Sequence, residues 1–229
     1  MSLTLIIANK NYSSWSMRPW LALTAAGVAF HERLLPLGST VFHQTLTQFG
    51  AAGRVPVLLD REQVVWESLA IIEHVAELHP DRPFWPGDGA ARAMARSVAA
   101  EMHAGFHHLR RHLPMNLWRP PEPRALTEGA QADRDRIVDL WQAARARFGH
   151  VGRYLFGSFS AADAMYAPIA MRFRTYAVPL PTGAADYVAA IHDHPAVRSW
   201  IASALHEPWE VAVDEVDWPV VKRMAVRDQ

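Results

Sequence analysis

The sequence predicts two structural units, an α/β domain followed by an all-α domain. Three observations lead to this prediction. Short β-rich segments alternate with helical segments before residue 80, no convincing strand follows residue 90, and a stretch rich in Pro, Gly and Asp separates the two patterns. The predicted boundaries are 1–80 for the α/β domain, 81–89 for the linker and 90–229 for the helical domain. A chain of 229 residues is long enough to bury a substantial core.

The first unit is predicted to follow the order β-α-β-α-β-β-α. Its strands are short, apolar or β-branched, and bounded by turn-forming residues. The predicted strands are Leu3–Ala8, Phe30–Leu35, Val55–Leu59 and Gln63–Trp66.

The helices of this unit are predicted from apolar residues at helical spacing and from residues that start or stop helices. Pro19 is placed in the first turn of the first helix, where a missing N–H costs little, and Gly27 follows that helix as its C′ residue. Ser68 is placed as the N-cap of the third helix. The predicted helices are Met17–Ala26, Thr40–Gln48 and Leu69–Leu78.

The second unit contains only predicted helices. Ser160 and Asp163 have the S-x-x-D spacing of a capping box and precede a long apolar segment, so they predict where a buried helix begins. The predicted helices are Ala90–Leu113, Asp133–Phe148, Ala161–Tyr176, Ala184–His192 and Pro195–Leu205.

Composition excludes several classes of function. Lys plus Arg and Asp plus Glu each total 23, so the balanced charge provides no bulk attraction to nucleic acid or to an anionic membrane. The chain has no cysteine, so any thiol chemistry must use the thiol of a ligand. The N-terminus resembles a first strand rather than a signal peptide, and no apolar run approaches membrane-spanning length. We therefore expect a cytoplasmic protein without nucleic-acid or membrane partners.

The segment Ser13-Ser14-Trp15-Ser16 lies between a predicted strand and a predicted helix. The N-terminus of a helix carries unpaired N–H groups and a partial positive charge, and a hydroxyl there can donate to an anion such as a thiolate. Lowering a thiol pKa from about 8.5 by about two units requires roughly 2.7 kcal/mol. One hydrogen bond to a charged group provides about 1.5–3 kcal/mol, so the arrangement is sufficient. Taken alone, this segment favours serines that only cap the helix.

Two further pairs are candidate ligand contacts. Val55-Pro56 opens a predicted strand and is a candidate cis bond beside a cleft, although cis is the minority state for such pairs. Glu67-Ser68 precedes a helix, where free N–H groups bind carboxylates and an acidic side chain can pair with an ammonium group. Simple capping is again the alternative.

Four histidines on one predicted helix raise the possibility of a metal site. His103 and His107, and His108 and His112, are spaced i, i+4, but no H-E-x-x-H arrangement accompanies them. Histidines that line a pocket or face solvent are the favoured interpretation, and we expect no metal.

These segments together resemble the glutathione S-transferase superfamily, in particular its serine-type, zeta-like members. Ser13-Ser14-Trp15-Ser16 and the helix after it resemble the family's S-S-C-S segment and following helix. Arg54-Val55-Pro56 resembles Q-V-P, and the segment from Glu67 to Glu73 resembles Q-S-L-A-I-I-E. The spacing between the three segments also matches, and the capping box falls where the family has one.

The resemblance implies a thioredoxin-like N-terminal domain, an all-α C-terminal domain and glutathione as a co-substrate. It implies that Ser13, with Ser14 beside it, activates the glutathione thiol. It also implies that Val55 pairs with the cysteinyl part of glutathione, that Pro56 is cis, and that Glu67 and Ser68 hold the γ-glutamyl end. Family members are usually homodimers, so a homodimer is expected.

The sequence departs from the zeta pattern at three positions, because Trp15 replaces cysteine and Glu67 and His107 replace glutamines. The first hypothesis is a transferase whose thiolate attacks a small electrophile. The second is a glutathione-dependent cis-trans isomerase of the maleylacetoacetate or maleylpyruvate type, and the third is a non-catalytic glutathione-binding protein. The electrophile is expected to be held by Trp15, Phe106, His107 and Arg110, with Trp118 or Tyr166 as further candidates.

Overall fold

The computed structural model describes residues 3–50 and 53–216. The first unit contains one four-stranded sheet with the strand order β2-β1-β3-β4. β1 and β2 run parallel, with Leu3 opposite Phe30, whereas β3 is antiparallel to both β1 and β4. The strands are β1 (Leu3–Ala8), β2 (Phe30–Leu35), β3 (Val57–Asp60) and β4 (Gln63–Trp66).

Three helices cover the two faces of this sheet: α1 (Ser14–Ala25), α2 (Thr40–Thr47) and α3 (Ser68–Leu78). The predicted order β-α-β-α-β-β-α is confirmed. Alternate residues of β1 explain the packing, because Leu5 and Ile7 join the larger core with α1 and α3, whereas Ile6 joins a smaller core with α2.

Several details of this unit differ from the prediction, most of them by one residue at the end of an element. α1 begins at Ser14 rather than Met17, so Pro19 lies in the second turn, where it removes the N–H that would bond to the Trp15 carbonyl. β3 begins at Val57 rather than Val55. Two predicted details are confirmed: the Val55–Pro56 bond is cis, and Gly27 follows α1 with a φ of 69°, a conformation that favours glycine.

The second unit is helical. α7 is its central helix, since every residue of that helix except Arg174 is buried. Its core is continuous with the core between α1, α3 and the sheet. The helices are α4 (Gly89–Ala104), α5 (His107–His112), α6 (Glu128–Phe148), α7 (Ala161–Thr175), α8 (Thr182–Asp193) and α9 (Pro195–Leu205), followed by a 3₁₀ turn at Ala212–Asp214.

The predicted helix Ala90–Leu113 is wrong, because the chain breaks it into α4 and α5. Gly105 ends α4, and Phe106 has a left-handed backbone with φ 60° and ψ 39°. A Cβ atom at Gly105 would lie 2.8 Å from the carbonyl oxygen of Glu101, so this break requires glycine. α6 also begins earlier than predicted, because Thr127 caps it and accepts the Ala130 N–H at 3.3 Å.

The capping box at the start of α7 is confirmed. The buried carboxylate of Asp163 accepts hydrogen bonds from the backbone N–H and the hydroxyl of Ser160, both at 2.9 Å. It also accepts the Leu155 N–H at 3.1 Å and the Tyr187 hydroxyl at 3.0 Å. Asp163 therefore joins three separate segments of the helical unit, a larger role than starting one helix.

The segment that leads into α1 is held by the helical unit. The carboxylate of Glu207 accepts the N–H groups of Lys10 at 2.7 Å and Asn11 at 3.0 Å. The side-chain oxygen of Asn11 accepts the N–H groups of Leu117 at 2.7 Å and Trp118 at 2.9 Å. These contacts fix the chain directly before Ser13.

α3 ends at Leu78 and α4 begins at Gly89, whereas the domain boundaries at 80 and 90 stay a prediction.

Candidate functional site

A cavity of about 620 Å³ lies where the start of α1, the Gly53–Pro56 segment and the α4–α5 break meet. This volume is in the range of small-molecule sites. Most of the candidate residues from the sequence line it, from both units of the chain. These are Ser13, Ser14, Trp15, Arg54, Val55, Pro56, Glu67, His107 and Arg110.

Two predicted residues do not line this cavity. Ser68 is fully buried as the first residue of α3, and its hydroxyl has no hydrogen-bond partner among the described residues. The cap position belongs to Glu67 instead, with φ 72° and no side-chain cap bond, so the prediction of Ser68 as the N-cap is wrong. Phe106 is in the core at 7% exposure, because its left-handed backbone turns it away from the cavity lining.

The further candidates Trp118 and Tyr166 are also core residues. The indole N–H of Trp118 donates to the Ala204 carbonyl at 2.7 Å, and the hydroxyl of Tyr166 donates to the Val98 carbonyl at 3.1 Å. Both side chains are at most 2% exposed and neither lines the cavity. Their polar atoms therefore satisfy core carbonyls rather than a substrate.

Ser13 is the N-cap of α1 and belongs to a chain of hydroxyls. Its oxygen accepts the Ser16 N–H at 3.3 Å, and its hydroxyl donates to the Ser16 hydroxyl at 2.7 Å. The Ser16 oxygen in turn accepts the Ala8 N–H at 3.1 Å, at the end of β1. Ser16 has no exposed surface, whereas Ser13 lines the cavity. This chain fixes the Ser13 oxygen at the positive end of the helix.

Ser14 is held by a different group. Its oxygen accepts a hydrogen bond from the guanidinium of Arg172 in α7 at 3.3 Å. Arg172 is buried and also donates to the carbonyls of Leu113 at 2.7 Å and Pro168 at 3.1 Å. The hydroxyl hydrogen of Ser14 is therefore available for donation into the cavity, because an oxygen that accepts from a guanidinium keeps its own O–H.

Trp15 lies between two guanidinium groups. The central carbon of Arg18 is 4.1 Å from the centre of the indole ring, and that of Arg110 is 4.4 Å from it. The ring of His103 meets the indole edge to face at 5.3 Å. Arginines stack well on indole, so this arrangement orients Trp15. Arg110 lines the cavity, whereas Arg18 is fully buried.

The arginines make this side of the cavity electropositive. Burial lowers the pKa of Arg18 well below its usual value, and the nearby Arg110 and Arg172 lower it further. Burial and Arg110 also lower the pKa of Arg172 to about 10, so it stays charged at neutral pH. Two nitrogens of the Arg18 guanidinium, Nε and Nη1, have no hydrogen-bond partner in the described part of the chain. Glu67 acts in the opposite direction and favours the charged form of Arg18. Of the three arginines, Arg110 is the one that lines the cavity, where its guanidinium can meet an anion.

An acidic side chain lies near these arginines, since the charge of Glu67 favours the charged form of Arg18. Glu67 is 47% exposed at its side chain and lies 3.6 Å from the Nε2 atom of His103. Burial and the nearby Arg18 lower the pKa of His103, so the histidine is a weak partner at neutral pH. The carboxylate of Glu67 is therefore accessible to a cationic group of a ligand.

Within residues 3–50 and 53–216, no three His, Asp or Glu side chains are close enough together to hold a metal ion, and the expectation of no metal stays a prediction. The break at Gly105–Phe106 separates His103 from the other three. His103 and His107 line the cavity, whereas His112 contacts the Ala125 carbonyl at 2.8 Å. No helix of these ranges is long and apolar enough to cross a bilayer.

Sequence reasoning missed part of the cavity wall. For the histidine cluster the sequence favours side chains that line a pocket or face solvent, but it does not single out His103, which lies near the end of α4 and lines the cavity. Tyr12 could have been predicted from its position next to Ser13. The other missed residues have no local sequence signal, because tertiary packing places them at the cavity. The missed residues are Tyr12, Leu37, Phe42, Gly53, Trp66, His103 and Ala104.

Two family models match the chain. The model described as "Glutathione S-transferase, N-terminal domain" matches residues 12–78, and "Glutathione S-transferase, C-terminal domain" matches residues 124–203. The chain is also 31% identical over 194 residues to a probable maleylacetoacetate isomerase from Caenorhabditis elegans, covering 80% of this chain and 89% of the relative.

Solved structures of the same fold support these matches. A glutathione transferase homolog from Burkholderia GL BGR1 with bound glutathione has a TM-score of 0.66 at 25% identity, over 89% of this chain and 98% of that one. A Tau class glutathione S-transferase from mango, Mangifera indica, has a TM-score of 0.67 at 18% identity, over 87% of this chain and 92% of that one. At that lower identity the second structure shows the fold alone.

Proposed function

Because the chain belongs to the glutathione S-transferase superfamily and is zeta-like within it, we propose that it is a glutathione transferase whose Ser13 hydroxyl holds the glutathione sulfur as a thiolate. One observation carries this proposal. A single cavity contains a serine at a helix N-terminus, the Val55–Pro56 segment and the acidic Glu67. These are the three kinds of contact that a thiol-bearing, zwitterionic tripeptide requires.

Ser13 acts by donating a hydrogen bond to the sulfur anion. In the ligand-free protein its O–H points to Ser16. A hydroxyl hydrogen rotates to suit its partners. When a thiolate is present, the Ser13 O–H therefore turns to the sulfur, and the Ser16 O–H turns to donate to the Ser13 oxygen. The Ser13 oxygen then accepts from Ser16 while it donates to the sulfur, and this chain of donors strengthens the final bond.

The thiol proton leaves to solvent, and the resulting sulfur anion is the nucleophile. Its electron pair forms a C–S bond with an electrophilic carbon, and a leaving group departs with the electrons of the bond that breaks. The protein contributes a nucleophile already formed at neutral pH and two reactants held side by side. Ser14 is the alternative donor, since it lines the same cavity and keeps a free O–H.

The rest of glutathione is proposed to extend from Val55 towards Glu67. The backbone of Val55 pairs with the cysteinyl unit, and the accessible carboxylate of Glu67 binds the γ-glutamyl ammonium group. The γ-glutamyl carboxylate is proposed to bind at the first turn of α3, where Ser68 is buried below the cavity lining and its hydroxyl has no partner among the described residues. A hydroxyl without a partner in that position is consistent with a carboxylate acceptor. Arg54, exposed at the cavity wall, is proposed to contact the same tripeptide.

The electrophile is proposed to lie against Trp15, His107 and Arg110, on the side of the cavity that the helical unit supplies. The indole provides an apolar flat surface, and the stacked guanidinium of Arg110 restricts how the ring can move. Phe106 has no part in this pocket, because it is buried in the core.

A second candidate function is a glutathione-dependent cis-trans isomerase of a small unsaturated dicarboxylate. The observation that favours it is Arg110, a guanidinium on the cavity wall that a carboxylate substrate could bind, with the buried Arg18 stacked on the same indole ring. The probable isomerase function of the Caenorhabditis elegans relative points the same way. In this reaction the thiolate adds to the double bond, the new single bond rotates, and the sulfur leaves again with its electron pair, so glutathione is regenerated.

Three measurements separate these functions. Calorimetric titration with glutathione tests binding, and failure to bind would leave a non-catalytic protein of the same fold. Conjugation of a chlorodinitrobenzene tests the transferase. Turnover of a maleylacetoacetate-type substrate without loss of glutathione identifies the isomerase, and absence of that turnover removes it.

We also propose that the protein is a homodimer that acts in the cytoplasm, as the sequence predicts. Trp66 supports an interface, because this large side chain at the end of β4 is 47% exposed beside the cavity. Light scattering coupled to size-exclusion chromatography tests the dimer, and a monomer at assay concentration would contradict it.

A further inference from the structure

A carboxylate from the far end of the described chain reaches the segment that leads into α1. Glu215 directly follows the 3₁₀ turn, and its Oε1 atom accepts the phenolic hydroxyl of Tyr12 at 2.6 Å. The same oxygen accepts the side-chain N–H of Asn116 at 2.8 Å. Tyr12 lines the cavity and directly precedes Ser13, yet nothing proposed above uses Glu215.

The side chain of Tyr12 is held along its whole length. Its ring meets the indole of Trp118 edge to face at 5.5 Å, and only 5% of the residue is exposed. Burial and the bond to Glu215 raise the pKa of Tyr12 well above its usual value, so the phenol stays protonated and donates. A short O–H bond to a carboxylate is among the stronger hydrogen bonds in proteins. Packing and this bond together fix the tyrosine.

The backbone of Tyr12 belongs to the turn that places both candidate serines. The N–H groups of Tyr12 and Ser13 donate to the Asn9 carbonyl at 3.2 Å and 2.8 Å. The N–H of Ser14 donates to the Tyr12 carbonyl at 2.9 Å. A displacement of Tyr12 therefore displaces Ser13 and Ser14 with it, whichever of the two hydroxyls meets the sulfur.

Asn116 connects the same carboxylate to this turn by a second route. The side-chain N–H of Asn116 donates to Glu215, and its side-chain oxygen accepts the side-chain N–H of Asn11 at 3.2 Å. Asn116 is only 2% exposed, so water has little access to this link. Glu215 therefore acts on two consecutive residues of the turn, on Tyr12 directly and on Asn11 through an amide.

The neighbouring acid, Asp214, lies near the group that holds the other serine. Burial raises the pKa of Asp214, and the charge of Arg172 lowers it. The guanidinium of Arg172 donates to the Ser14 oxygen. The two adjacent acids thus face groups on both sides of the serine turn, and Glu215 is the one that bonds directly to it through Tyr12.

We infer that Glu215 is a positioning residue of the thiolate site, whose carboxylate holds Tyr12 so that the serine turn keeps its hydroxyl within reach of the glutathione sulfur. Glu215 does not line the cavity, so it acts through Tyr12 and not on the ligand. The inference rests on the proposed function, because it requires a thiolate at the serines. Small movements matter there, since a misplacement of about 1 Å costs about 100-fold in rate.

Three variants of the full chain test the link. Glu215→Ala removes the acceptor, and Tyr12→Phe removes the donor but keeps the ring against Trp118. Each is expected to raise the pKa of the bound thiol by about one unit, which lowers the thiolate fraction at pH 6.5 up to about tenfold. Glu215→Gln keeps an oxygen that can accept both bonds, so it should restore most of the parent behaviour.

The readouts separate positioning from loss of structure. The pKa of the thiol is taken from the ultraviolet difference spectrum at saturating glutathione, and the affinity for S-methylglutathione, which has no thiol to ionise, should match the parent. The double variant Tyr12→Phe with Glu215→Ala should be no worse than the more affected single variant, because both changes break one link. Glu210→Ala, at an exposed neighbour, is the matched control and should behave like the parent.

Two results would overturn the inference alone. One is a lower denaturation midpoint in Glu215→Ala and Tyr12→Phe with an unshifted thiol pKa, which means a purely structural role. The other is a double variant whose shift equals the sum of the single shifts, which means that the residues act separately. Tyr12→Phe removes a single oxygen, so it decides the question even where Glu215→Ala lowers stability. A parent protein whose bound thiol titrates like free glutathione would instead contradict the proposed function and the inference together.

Discussion

Replacing Ser13 with alanine removes one hydroxyl from the cavity and should shift the pH dependence of catalysis. Ser13 also caps α1 through the Ser16 N–H, so alanine removes a cap as well as a donor. Glycine at an N-cap costs only a few tenths of a kcal/mol. Ser13→Gly therefore isolates the loss of the hydroxyl, and Ser13→Thr should restore both roles.

The size of the shift follows from one charge-assisted hydrogen bond. Losing a bond worth about 1.5–3 kcal/mol raises the pKa of the bound thiol by about 1.1–2.2 units. If the parent protein holds that pKa near 6.5, about two units below a free thiol, the thiolate fraction at pH 6.5 falls about 7- to 80-fold. Near pH 9 the difference shrinks to less than about twofold, because the thiol then ionises without help. A more basic thiolate is also the better nucleophile, so the difference in rate between the variant and the parent protein at high pH becomes smaller still.

The assay is the rate of conjugation at saturating glutathione from pH 5.5 to 9, together with the ultraviolet difference spectrum of the bound thiolate. Ser14→Ala is the matched control, because it removes the neighbouring hydroxyl and leaves the cap intact. An unchanged profile for Ser13→Ala and Ser13→Gly, with the shift seen in Ser14→Ala, would refute the assignment and transfer the role to Ser14.

Three other changes test separate parts of the structure. Arg110→Met should raise the KM of a dicarboxylate substrate about tenfold, the effect of one charged hydrogen bond. The KM of a neutral aromatic electrophile should change less than twofold. Equal changes in the two KM values would contradict a role of Arg110 in binding anions. Asp163→Ala should destabilise the protein by at least about 3 kcal/mol, because several buried donors lose their acceptor, and a denaturation midpoint close to that of the parent would show that the box is dispensable. Glu207→Gln should lower the free energy of unfolding by about 1.5–3 kcal/mol and should lower kcat, since one amide oxygen replaces a carboxylate that accepts two N–H groups. Glu210→Gln, a change at an exposed neighbour, should alter neither the free energy of unfolding nor kcat.

The sequence was informative wherever local chemistry alone decides the backbone. Gly27 predicts the end of α1 because a left-handed residue there favours glycine. Ser160 and Asp163 predict the start of α7 because residues three apart can bond directly at a helix start. Here the N–H and the hydroxyl of Ser160 both donate to the carboxylate of Asp163. The cis Val55–Pro56 bond was predicted only through resemblance, since the pair alone favours trans.

The sequence was misleading where tertiary contacts override a local pattern. The apolar spacing of residues 90–113 is helical throughout, but the left-handed turn at Phe106 breaks the helix and moves that side chain into the core. The same turn brings His107 and Arg110 to the cavity. Likewise, Ser68 has the composition of a cap, yet the strained backbone of Glu67 occupies the cap position. The Trp15 arrangement was also hidden, because Arg18 and Arg110 are far apart along the chain.

The bonds from Glu207 to Lys10 and Asn11 have a consequence for synthesis. During translation the segment before Ser13 is made long before its carboxylate partner, because Glu207 follows Lys10 by 197 residues. A nascent chain therefore leaves this segment unanchored until Glu207 has emerged. Products that terminate before Glu207 would lack both bonds even when their sheet has formed. The order of the cavity wall at Ser13 thus depends on a residue that is added much later than the sheet.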